Sequence, residues 1–114
     1  AIMTSKLQER AIEAAAVFVE RRRYDVFDKV WSPEEGISID LVTRDGDDVV
    51  LTDVAACEGI DKGLPEEDPA GSRQCMEIAA ARWLAECSDD FGNVVIRCIR
   101  YDKTRHKCSL LRYH

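Results

Sequence analysis

The stretch Ile37–Ala56, ISIDLVTRDGDDVVLTDVAA, constrains the fold more than any other part of the chain. Two runs of aliphatic and β-branched residues flank an Asp-Gly pair, a strong local signal for a β-hairpin. Each run also holds one carboxylate among mostly apolar neighbours, Asp40 in the first and Asp53 in the second. Burying such a group is costly unless something compensates it, so the register of the hairpin matters. If Asp45-Gly46 forms the turn, Val42 opposes Val49 and Ser38 opposes Asp53. Asp40 and Asp53 are then diagonal neighbours on one face, with β-carbons roughly 7 Å apart. A Gly46-Asp47 turn would oppose them directly. A three-residue loop would send them to opposite faces, because a one-residue slip inverts the pattern. Converging carboxylates suit a hard divalent cation such as magnesium. The competing reading is a pair of acids on the solvent side of a half-exposed sheet.

At 114 residues the chain is expected to form one domain with a proper core. Its longest uncharged apolar run, Ala14–Val19, is too short to span a bilayer, and no secretory pattern opens the sequence, so the expected setting is the cytoplasm without membrane contact. Ala1-Ile2 precede a Met that could be the natural start and are left out of the fold reading. Five cysteines without a C-x-x-C spacing argue against a disulfide framework or a zinc site, and neither His106 nor His114 belongs to a recognisable catalytic arrangement. The net charge of −6 hides an asymmetry. Glu34 to Asp68 holds twelve acids against Arg44 and Lys62, whereas Val95 onward holds Arg97, Arg100, Lys103, Arg105, Lys107 and Arg112 against Asp102 alone. Arg21-Arg22-Arg23 forms a further basic cluster. A local basic face can serve phosphate binding in an acidic protein, although solvated surface is the commoner meaning of such a run.

Apolar residues at helical spacing predict a first helix from a Ser5 cap to about Arg22 and a second from about Ser72 to Cys87. Tyr24–Trp31 alternates as a strand does, the hairpin follows, and Asn93–Arg100 and Lys107–Tyr113 close the chain as a strand pair. CEGIDKGLPEEDPAGS reads as a mobile loop. The order is α-β-β-β-α-β-β, an α/β sandwich in which a central mixed sheet is flanked by helices. The hairpin acids fall at its centre.

With these elements in order the chain resembles the YraN-like family of predicted endonucleases, small restriction-endonuclease-like proteins related to Holliday-junction resolvases. The resemblance rests on AIEAAAVFVERRRY from Ala11, GISIDLV from Gly36, VVLTDVAAC from Val49 and SRQCMEIAAARWLAE from Ser72, and covers most of the chain. It implies a PD-(D/E)xK site in which Mg²⁺ or Mn²⁺ is held by Asp40, Asp53 and the backbone carbonyl of Val54. The family's helix glutamate falls on Ile12, with Glu13 one place along and turned by about 100°. The strand motif's glutamate falls on Ser38, its lysine on Ala55, and the basic residue of the second helix on Arg73. Replacement sources for the lysine are Lys62 in the loop, Arg44 at the turn and Lys29 on the neighbouring strand. Losing one preorganised donor of this kind commonly costs about 3–4 kcal/mol of transition-state stabilisation.

Three functions compete. The first is a nuclease-like domain with a degenerate site, weakly active or inactive, that binds branched or flapped DNA through Arg73, Arg97, Arg100, Lys103, Arg105 and Lys107. The second is an active Mg²⁺- or Mn²⁺-dependent endonuclease or resolvase with a relocated basic residue. The third is a protein-interaction module that kept only the fold, with a protein partner or a second copy as its ligand. The retained acids favour the first over the third. The absent lysine and the acidic loop weigh against the second.

Overall fold

The computed structural model describes residues 6–57, 72–87 and 91–111. The elements run α1 (Lys6–Glu20), β1 (Asp25–Glu34), β2 (Ile37–Asp45), β3 (Asp48–Cys57), α2 (Ser72–Glu86), β4 (Val94–Asp102) and β5 (Lys107–Leu111). The five strands form one sheet in the order β1-β2-β3-β4-β5. Only β3 and β4 pair in parallel, and α2 is the crossover between them. This is the α/β arrangement expected, a mixed sheet flanked by two helices. The Ser5 cap, Lys62 and the acidic loop lie outside the described residues.

α1 ends two residues short of the expected Arg22, and its last turn explains why. Arg23 has a φ of 68°. The amide of Tyr24 donates to the carbonyl of Val19 at 3.1 Å and that of Arg23 to Glu20 at 3.0 Å. That pair of bonds is the Schellman closure, here with arginine in the left-handed place that glycine usually fills. Tyr24 and Val19 belong to the same apolar cluster, supplying the hydrophobic contact that accompanies the motif.

Each helix covers one sheet face. On one side Ala11, Ile12, Ala15, Ala16 and Val19 of α1 pack on Leu41, Val54, Ile99 and Tyr101. The alanines keep that helix close to the strands. On the other side Met76, Ala79, Ala80 and Trp83 of α2 pack on Ile39, Val42, Val49 and Leu51. Met76, Ala79, Ala80 and Trp83 recur at helical spacing, and theirs is the face that α2 buries. Its outer face still carries Ile78, 55% exposed, and Leu84, 41% exposed.

The hairpin register differs from the first of the simple choices. Asp45 pairs with Asp48, Val42 with Leu51 and Leu41 with Thr52. The two loop residues are thus Gly46 and Asp47, with Gly46 at φ 64° in the first loop position. A glycine there is what a type II′ turn requires, so the Asp-Gly pair does not sit at the turn's centre.

The side-chain alternation breaks once along β2. Ile39 faces α2, yet Leu41, two residues on, faces α1. The same break occurs opposite, on β1. Lys29, paired with Leu41, reaches Glu13 of α1, whereas Trp31, paired with Ile39, packs in the α2 cluster. Between them Val30 has a φ of 54°, a strained setting for a β-branched residue. Asp40 and Val30 are therefore the central residues of two matched breaks, and Asp40 belongs to neither face.

Candidate functional site

The β2–β3 ladder stops at Leu41 and Thr52, while β1–β2 pairing continues to Glu34 and Ile37 and β3–β4 pairing continues to Cys57 and Asp102. β2 and β3 thus part immediately before Asp40 and Asp53. Where two strands separate, their backbone groups need other partners. Val54 finds both in side chains. Its N–H donates to Asp40 Oδ2 at 2.8 Å, and its carbonyl accepts from Gln8 Nε2 at 2.8 Å. The same Gln8 nitrogen lies 3.4 Å from Asp40 Oδ2. Since both neighbours are acceptors, only the –NH₂ end of the amide can serve them, which fixes its orientation.

Asp53 completes the group. It is half-buried and hydrogen-bonded to the Asp40 side chain. Its pKa rises from the usual 3.8 to about 7. Burial is the main cause, followed by the hydrogen bond to Asp40 and that group's negative charge, and a backbone hydrogen bond at Val54 opposes them. The two aspartates therefore meet, as two of the simple registers required, through direct opposition and the break in alternation rather than through a shared flat face. At neutral pH Asp53 exists in part as the acid, a donor to Asp40.

The donor set does not fit a divalent cation as it stands. Two of the implied ligands, Asp40 Oδ2 and the Val54 carbonyl, are already bridged by the neutral Gln8 amide. Among the described residues no group of three or more His, Cys, Asp and Glu side chains is arranged to hold a metal ion.

The other expected residues are dispersed. Glu13 pairs with Lys29 at 3.1 Å, its side chain 67% exposed. That ion pair engages Glu13 and Lys29 with one another rather than with the two aspartates. Arg44 lies over the rings of Phe91, at 5.0 Å, and Phe27, at 5.9 Å. Arg73 is bound to Glu77 on the surface of α2 at 3.1 Å. Arg97 and Arg100 do not share a face. Arg97 donates to the Tyr24 hydroxyl on the α1 side at 3.1 Å, and Arg100, between Ile99 and Tyr101 of the α1 cluster, lies on the α2 side.

Arg100 has a particular neighbour. It pairs across the parallel ladder with Ala55, the position where the resemblance places the lysine, and Cys98 pairs likewise with Asp53. Asp53, Ala55 and Arg100 therefore lie on one side of the sheet. Arg100 is half-buried, and no carboxylate among the described residues pairs with it. In the β4–β5 turn Arg105 is exposed and Lys103 is half-buried, and Lys107, the first residue of β5, is exposed. The backbone of the turn is held by Asp102, whose Oδ1 accepts from the Thr104 amide at 2.9 Å.

Gln8 is not marked by the resemblance, which asks for an acid on α1. The signal was present. Gln8 precedes Ile12 by four residues and so lies on the same helix face, one turn nearer the strand ends.

No helix among the described residues is long and apolar enough to cross a membrane. No protein-family model matches the chain, and no curated protein matches it.

Proposed function

We propose that this chain is a cytoplasmic, restriction-endonuclease-like domain, akin to the YraN-like proteins, that binds nucleic acid and has a degenerate PD-(D/E)xK centre with weak or no cleavage activity. The observation that carries this reading is the fork itself: two aspartates drawn together where β2 and β3 part, with the Gln8 amide bridging Asp40 and the Val54 carbonyl. The arrangement keeps the acids of a phosphodiesterase centre but leaves no ready place for Mg²⁺ or Mn²⁺. Cations for phosphate contact come from Arg100 beside the fork, from Lys103 and Arg105 in the β4–β5 turn and from Lys107 at the start of β5. Branched or flapped DNA is the substrate class the resemblance favours.

One observation favours a second reading, an active Mg²⁺- or Mn²⁺-dependent nuclease. The half-buried Arg100 lies beside Ala55 on the side of Asp53, where a guanidinium could stabilise developing charge in place of the absent lysine.

A single gel series separates the readings. Flapped and four-way DNA are incubated with Mn²⁺ and the parent, Asp40→Asn or Arg100→Ala. A mobility shift without cleavage, weakening steeply with salt, supports the binding domain. Cleavage by the parent that both variants abolish supports the nuclease. Neither shift nor cleavage removes both and leaves a protein-interaction module.

A further inference from the structure

The contacts of Gln8 are those of a bridge. One nitrogen sits 2.8 Å from the Val54 carbonyl oxygen and 3.4 Å from an oxygen of Asp40, and Asp40 is in turn hydrogen-bonded to Asp53. Two electron-rich groups, the Val54 carbonyl and the Asp40 carboxylate, thus meet at one amide nitrogen, with Asp53 beside Asp40, and the amide's partial positive charge draws the first two together. A hard divalent cation does the same work with full charge and takes oxygen ligands of these kinds.

An ion entering the parent chain would have to expel the –NH₂ group from between its own ligands. Turning the amide over to offer Oε1 would forfeit the bonds to Val54 and Asp40 together. Position 8 is therefore where exclusion of the ion is decided. A carboxylate of the same length there would supply a third acid to the same point and would have no proton to give to Asp40 or Val54.

We propose that Gln8 is the lock on a latent divalent-cation site formed by Asp40, Asp53 and the Val54 carbonyl, and that exchanging its amide for a carboxylate opens that site. The inference rests on the fork reading above but is read by ion binding, not by nucleic acid. A positive titration beside a negative gel would sink the proposed function alone.

The test is a Mn²⁺ titration by calorimetry of the parent, Gln8→Glu and the double variant Gln8→Glu/Asp53→Asn, with circular-dichroism melts taken with and without the ion. Gln8→Glu is expected to bind Mn²⁺ on the order of 10–100-fold more tightly than the parent, because affinity follows the number of charged ligands. Its melting temperature should rise with Mn²⁺ while the parent's does not move, and the double variant should lose the gain. Equal binding by the parent and Gln8→Glu overturns the proposal, and so does a folded Gln8→Glu that binds no more tightly. If Gln8→Glu folds only when Mn²⁺ is present, the proposal stands. If it fails to fold in either condition, Gln8→Ser decides. It vacates the bridge without adding charge, and a folded Gln8→Ser that binds Mn²⁺ no better than the parent overturns the lock.

Discussion

The two ends of the β2–β3 pair solve the same problem by different means. Toward the turn, Val42, Val49 and Leu51 are buried under α2, and backbone bonds join the strands from Asp45–Asp48 to Leu41–Thr52. Past Thr52 the strands part, and side chains from three separate elements, Gln8, Asp40 and Asp53, do what the ladder did. The first end is secured by apolar area and is indifferent to pH. The second is secured by a few polar contacts, one of which depends on a proton. A chain can therefore hold a rigid scaffold and a chemically responsive centre within one strand pair, a few residues apart.

Substitutions at each end should show this contrast. Leu51→Ala at the closed end should cost about 2–5 kcal/mol, from lost burial and the cavity left behind, with the same loss measured by urea melts at acid and neutral pH. Asp40→Ala at the open end should cost less, about 1–3 kcal/mol, because the Val54 N–H loses its partner. Amide exchange at Val54 should accelerate in this variant while the Val42 amide keeps its protection. If both amides lose protection equally, the two ends are one cooperative unit and the contrast fails.

The proton on Asp53 gives a test with a definite sign. Its folded pKa of about 7 lies above the usual 3.8, so between those values the folded chain holds a proton that the unfolded chain has released. Its contribution to stability is complete below about pH 4 and disappears as the pH rises through about 7. Asp53→Asn should flatten this part of the stability profile, and an unchanged slope would remove the proton from the account. The smallest effect is expected at the border of the two regions. Thr52 is fully buried, and among the described residues its hydroxyl has no hydrogen-bond partner. Thr52→Val should stabilise the fold by about 1 kcal/mol, read as a rise in the denaturation midpoint.

The order of elements was legible because it depends on periodicity. Alternation marked β2 and β3, helical spacing marked α1 and α2, and the Asp-Gly pair marked the hairpin. The meeting of Asp40 and Asp53 was legible only as one outcome among registers. Local turn chemistry admitted Asp45-Gly46 as readily as Gly46-Asp47, and a break in alternation leaves no mark in composition. What the sequence hid was tertiary. Glu13 and Lys29, both candidates for the site, pair with one another on the surface. Arg97 and Arg100 are close in the chain, but a strand sends odd and even positions to opposite sides. Gln8, an ordinary amide in a charged first turn, became notable only once its neighbours were known.

The matched breaks at Val30 and Asp40 have a second consequence, at the rim of the sheet. β1 is an edge strand, and Phe27 and Val30 on it are 45% and 44% exposed. An exposed edge strand with apolar side chains on its surface is an invitation to strand-on-strand association between molecules. The left-handed Val30 interrupts it midway, and Pro33 removes an amide donor near its end. The turn of the backbone that brings Asp40 between the faces is therefore matched, one strand over, by a kink that leaves a neighbouring molecule no continuous edge to extend.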